Sequence, residues 1–147
     1  MSATKTEKYL ETQAKTATKE QLLIMLFDGA IRFTQMAKES MRRKRAEDAF
    51  NYFLRAQRIM TELICSLDRR VGEEIYANLV NLYKFIYFRL VEAGLRKDER
   101  LADEALAILS HLRQTWMMAI EKRRKESPNA SEAAPGAGAE CAISVQG

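Results

Sequence analysis

The apolar positions of the chain fall into four long helical patterns joined by short polar links. The first opens abruptly, because Leu22 to Phe27 are apolar at every position (LLIMLF) before Asp28 and Gly29 interrupt them. Thr18 and Gln21 just ahead have capping-box spacing, so a helix is predicted to begin near Lys19. It runs to about Arg42, where Arg42, Arg43, Lys44 and Arg45 suit the negative end of a helix dipole. The second pattern spans about Ala46 to Leu67. Its seam is Ala49, Phe53, Ala56, Met60, Leu63 and Leu67, at alternating steps of four and three, and Phe50, Leu54 and Ile64 widen one flank. A short link with Asp68 and Gly72 follows. The third pattern starts at Glu73 and Glu74 and carries two parallel seams, one of Tyr76, Val80, Tyr83, Tyr87 and Leu90, the other of Ile75, Leu79, Leu82 and Ile86. Phe85, Phe88 and Val91 add a third strip. Gly94 is predicted at the left-handed position closing this helix, with Leu95 making the apolar contact of a Schellman motif. Asp98 can cap the fourth helix, whose seam is Ala102, Ala105, Leu109, Leu112, Trp116 and Ala119 and whose end is expected near Arg124.

These patterns predict an all-α fold: an antiparallel up-down-up-down four-helix bundle over residues 18–125. Residues 1–17 are polar apart from Tyr9, Leu10 and scattered alanines, and are expected to form a mobile arm. Residues 126–147 (ESPNASEAAPGAGAECAISVQG) hold both prolines and bury too little to offset their ordering entropy, so a disordered tail is expected. A bundle helix needs about three apolar positions in seven to face its core. The first helix exceeds that over Leu22–Phe27, and the third over Leu79–Val91. Such a surplus marks a binding surface or an aggregation liability, the alternative being tight core packing plus the interface of a homodimeric structural bundle. Gly29, costing about 1 kcal/mol against Ala inside a helix, points to close approach of another helix, from the bundle more than from a partner.

Charge narrows the possibilities. The chain carries 24 cations and 20 anions, interspersed rather than segregated, which argues against nucleic-acid binding. The runs Arg42–Arg45 and Lys122–Lys125 fall at predicted helix ends, where a structural role suffices. His111 is the only histidine, so a di-metal bundle site built from two Glu-x-x-His motifs is excluded, and no catalytic group, metal or cofactor is expected. Cys65 and Cys141 have no zinc spacing, and a disulfide framework is not expected, which favours a reducing compartment. The N-terminus lacks the apolar run of a signal peptide, and no run is long enough for a membrane span.

Several stretches, taken in order, resemble the FliS family of flagellin export chaperones. They are Tyr9 ahead of TQAKTAT; EQLLIMLFDGAIRF, close to the pattern QLI-x-MLYDGAIRF; AQRIMTELICSLD; Gly72 with NLVNLY; and the turn Arg96-Lys97-Asp98 before a helix carrying LRQTW. The resemblance covers residues 5–120. Phe27 replaces the family's usual Tyr, Gly94 stands where Asn is common, and RRVGEE lacks a frequent Gly-Gly pair. The resemblance implies a bacterial cytosolic chaperone, not an enzyme. Its apolar grooves would bind the disordered C-terminal segment of flagellin, prevent premature polymerisation and aid delivery to the type III export apparatus. It implies a monomer or weak dimer, with an export-gate component and other flagellar regulators as further partners. The candidate contact residues are Tyr9, Leu10, Leu22, Ile24, Met25, Phe27, Ile64, Tyr83 and Tyr87, with Tyr9 and Leu10 shielding the empty groove.

Overall fold

The computed structural model describes residues 18–126. Within them are four helices, α1 (Lys19–Arg42), α2 (Ala46–Cys65), α3 (Glu73–Arg96) and α4 (Glu99–Glu126), with a single 3-10 turn (Arg69–Val71) between α2 and α3. The predicted capping box is present: Thr18 Oγ1 accepts from the Gln21 N–H at 3.1 Å, and Gln21 Oε1 accepts from the Thr18 N–H at 3.0 Å. Asp98 likewise accepts from the Arg100 N–H at 2.9 Å at the start of α4. The arm, and the tail after Glu126, lie outside the described residues.

Each helix packs against its sequence neighbours, and α4 closes back on α1. Contact register gives the directions. On α1 and α4, Glu20 pairs with Arg123, Asp28 with Arg113, Lys38 with Asp103 and Arg42 with Glu99, so numbers rise on one helix as they fall on the other. Tyr83–Trp116 and Arg89–Glu104 set α3 against α4 in the same opposed sense. Phe33–Tyr52 and Gly29–Ile59 do so for α1 and α2. The bundle is therefore up-down-up-down, as short connections require.

The core takes one stripe from each helix: Phe27, Ala30, Thr34 and Ala37; Phe53, Ala56, Met60 and Leu63; Tyr83, Ile86, Leu90 and Ala93; Ala102, Ala105, Leu109 and Leu112. With Ala49, which is also buried, the α2 stripe is the predicted seam apart from Leu67, which is only half-buried beyond the end of the helix. On α3 the buried stripe crosses between the two predicted seams, taking Tyr83 and Leu90 from one and Ile86 from the other. Thr34, buried mid-helix, donates its hydroxyl to the Ala30 carbonyl at 2.8 Å, so its polar atom is not orphaned.

Three expectations are corrected. Gly94 does not close α3. The helix continues to Arg96, and Lys97 takes the left-handed conformation (φ 52°). Gly94 instead lies against Phe53 of α2, whose ring would meet an added Cβ at 3.4 Å, an ordinary van der Waals contact. Leu95 makes no capping contact and is 71% exposed. Cys65, half-buried at the end of α2, is disulfide-bonded, contrary to the expectation of reduced thiols; Cys141 lies outside the described residues. Gly29 behaves as predicted, since an added Cβ would stand 2.9 Å from Ile59 Cδ1 of α2.

Candidate functional site

The two ends of the bundle are built differently. At the end formed by the α1–α2 and α3–α4 turns, small residues (Ala37, Ala49, Ala93, Ala102) are buried and the helices close on one another. At the opposite end the fully buried stripe stops early, at Phe27 on α1, at Tyr83 on α3 and at Leu112 on α4. Beyond those positions α1 still has Leu22–Leu26, α3 has Ile75, Tyr76, Leu79, Val80 and Leu82, and α4 has Trp116 to Ile120. Leu23, Leu26, Leu79, Leu82 and Trp116 lean on the core while remaining partly exposed. Ile75 and Met118 are more than half exposed. This open end carries more apolar side chain than four helices can cover.

The floor of the open end is closely packed. Tyr83 is fully buried, with Phe27 edge-on at 6.1 Å and its hydroxyl accepting from Trp116 Nε1 at 2.9 Å. Burial pushes the Tyr83 phenol up to about 12, offset in part by that hydrogen bond. The rim is polar. Asp68 accepts from the Arg70 side chain at 2.8 Å and the Arg70 N–H at 2.9 Å, and these bonds hold its carboxyl far below the usual range. Lys19 lies 3.6 Å from the same carboxylate, so the root of the N-terminal arm sits beside the α2–α3 turn. Gly72 closes that turn at φ 113°, with open space around it, so backbone conformation and not crowding requires glycine there. Next to the turn, Arg69 stacks on Tyr76 at 4.6 Å, and a cleft of about 370 Å³ opens between Arg69, Glu73, Tyr76, Ala77, Val80 and Asn81.

The outer face of α3 extends this apolar surface. Phe85 and Phe88 point away from the core and are about two-fifths exposed, with Arg89 stacked on Phe85 at 4.5 Å and Tyr87 edge-on to Phe88 at 5.2 Å.

The sequence-derived candidates divide three ways. Leu22, Ile24 and Met25 are half-buried outside the core cluster, on α1 at the open end, and Tyr87 is half-buried on α3. Phe27 and Tyr83 are fully buried and Ile64 is 7% exposed, so in this arrangement those three are core residues. Tyr9 and Leu10 lie outside the described residues. Sequence reasoning left Phe85, Phe88, Ile75, Met117 and Met118 off the candidate set, although the third strip on α3 had already singled out both phenylalanines. Among the described residues no group of His, Cys, Asp or Glu could hold a metal, and no helix is long and apolar enough to cross a membrane. His111 is exposed on α4.

A helical bundle whose described residues leave a large apolar end uncovered fits the class of proteins that work by holding other chains. Comparison with known proteins makes this specific. The family model described as "Flagellar protein FliS" matches residues 1–123, and the chain belongs to that family. It is 29% identical over 118 residues to the flagellar secretion chaperone FliS of Bacillus subtilis (strain 168), covering 80% of this chain and 87% of that protein. To the FliS of Salmonella typhimurium it is 31% identical over 108 residues, 73% of this chain and 80% of the other. To FliSB of Pseudomonas aeruginosa it is 30% identical over 107 residues, 73% and 85%. All three relatives are named as chaperones, not as enzymes.

Proposed function

We propose that this protein is a cytosolic flagellar export chaperone. Its client is the disordered C-terminal segment of flagellin, which it seats on the open end and the outer face of α3. Binding keeps the segment from polymerising early and delivers it to the type III export apparatus. The observation that carries this reading is the incomplete core, with large apolar side chains beyond Phe27, Tyr83 and Leu112 lacking full cover. Removing apolar surface from water is worth about 25 cal/mol per Å², so a segment that folds onto this surface can offset its own ordering cost. The mode is an amphipathic helix in a groove, read by anchors three and four residues apart. Leu22, Ile24, Met25, Tyr87, Phe85 and Phe88 are the contacts, and the cleft at Tyr76 and Val80 takes one anchor side chain. Because Lys19 sits at the α2–α3 turn, the arm bearing Tyr9 and Leu10 is rooted where it can cover the open end until a client displaces it. No nucleotide is required, since exchange runs on competition for the same surface.

Isothermal titration with the C-terminal segment of the cognate flagellin tests the proposal. The expected result is an equimolar, submicromolar complex with a negative heat-capacity change, the marker of apolar burial. Ile24→Asp and Met25→Asp should weaken it without loss of helicity. Deleting residues 1–15 should raise affinity or self-association. Absence of binding, combined with a dimer that persists on dilution in sedimentation, would replace the client with a second copy.

A further inference from the structure

Outside the client surface, the outer face of the α1–α2 pair carries a cluster of aromatic and cationic side chains. Phe33 of α1 and Tyr52 of α2 stack at 6.2 Å with planes 21° apart. The Arg55 guanidinium lies over both, 5.5 Å from the Phe33 centroid and 5.8 Å from that of Tyr52. Arg55 is exposed, and among the described residues neither it nor Arg32 of α1 nor Arg45 just before α2 has a carboxylate within ion-pair distance. Tyr52 also lines a cleft of about 210 Å³ with Met36, Ser40, Arg43, Arg45 and the carboxylates Glu39 and Asp48. Glu39 is engaged by Arg43 at 2.8 Å, which leaves Arg45 as the uncommitted cation of the cleft and Asp48 as its uncommitted anion.

An exposed arginine normally loses rotamer entropy when it is fixed, and here two aromatic faces fix it in advance. Among the described residues no carboxylate pairs with the Arg55 guanidinium, a fork that matches a carboxylate through two parallel N–H donors. Met36, which lines the cleft with Tyr52, is a flexible apolar wall suited to varied side chains. Arg and Tyr together are also the residues that dominate interface energetics.

We propose that this face is a second docking surface, taking an acidic amphipathic helix from another protein. One Asp or Glu of that helix would be clamped by Arg55, and an apolar residue about one turn away would sit against Met36 and Tyr52. The surface lies on α1 and α2, apart from the exposed face of α3, so both partners can be held at once. The inference does not depend on the identity of the client.

The test titrates isotopically labelled full-length protein with two designed amphipathic peptides that differ only in carrying Glu or Lys beside their apolar stripe. Backbone amide shifts are followed with and without saturating flagellin C-terminal segment. The Glu peptide should bind, shifting Phe33, Tyr52 and Arg55, and should do so equally in the presence of flagellin segment. Arg55→Glu should weaken it about tenfold or more, the scale of one charge-assisted hydrogen-bonded pair. Arg55→Lys should fall between, since it keeps the charge and loses the fork. Arg55 is exposed, so both variants should melt like the parent; if Arg55→Glu does not, Arg55→Gln carries the same comparison. Equal binding of both peptides, shifts centred on Phe85 and Phe88, or displacement by the flagellin segment would each overturn the proposal. So would Arg55-dependent binding to phosphatidylglycerol vesicles without binding to the Glu peptide.

Discussion

The closed and open ends of the bundle solve the same packing problem with different residues. At the closed end, alanines on all four helices let the backbones approach, and the seam between α1 and α4 is finished by Lys38–Asp103 and Arg42–Glu99. At the open end the side chains are leucine, isoleucine, methionine and tryptophan, too large and too many for helices held at the spacing the alanines set. Ionic finishing continues there on the α1–α4 seam, through Glu20–Arg123, but the α3 side has no equivalent cover. One end is therefore specified for a single arrangement, and the other keeps surface in reserve.

The largest test of this division is Phe27→Ala. Phe27 is the last fully buried residue of α1 before the open end, and its truncation should cost about 3–5 kcal/mol of stability in denaturant unfolding. A loss below about 1 kcal/mol would mean that the floor belongs to the client surface instead. Next is Tyr83. Its phenol holds its proton more tightly folded than unfolded, with the folded value raised to about 12 from an ordinary value near 10. Its contribution is therefore fully present below pH 10 and is lost as pH rises toward 12, at up to about 1.4 kcal/mol per pH unit. Tyr83→Phe should flatten that alkaline slope relative to the parent, while costing about 1 kcal/mol at neutral pH for the lost acceptor of Trp116.

Phe85→Ser with Phe88→Ser should show the opposite signature. Melting should change little, by about 0.5 kcal/mol per site or less, while flagellin affinity falls about tenfold or more. Asp28→Asn removes one rung of the α1–α4 ladder and should cost less than about 1 kcal/mol, shrinking further in high salt. Gly29→Ala should have the smallest net effect. The roughly 1 kcal/mol gained in helix propensity is opposed by moving the flexible tip of Ile59, so unfolding midpoints should nearly coincide.

Much of the fold was legible because it rests on local signals. The capping box, the α2 seam and the start of α3 are written in a few neighbouring residues each. The candidate surface was less legible for a physical reason. Three apolar strips run side by side on α3, and periodicity cannot tell which one faces the core. The choice is made by α2, where Phe53 rests on Gly94, and by α4, where Trp116 reaches Tyr83. Gly94 was misread for the same reason, since glycine near a helix end satisfies both a left-handed cap and a close helix crossing. The backbone separates the two, since the left-handed residue is Lys97. Leu22, Ile24 and Met25 could be picked out because six consecutive apolar residues cannot all face one way on a helix.

The bond between Trp116 and Tyr83 has a practical consequence. The chain contains one tryptophan, and it is half-buried at the edge of the open end, anchored to a buried phenol of the facing helix. Its ultraviolet emission thus originates from a single, well-defined location. A ligand settling nearby, or the two helices drifting apart, would change its colour and intensity without any attached dye, giving this molecule an intrinsic optical gauge of occupancy.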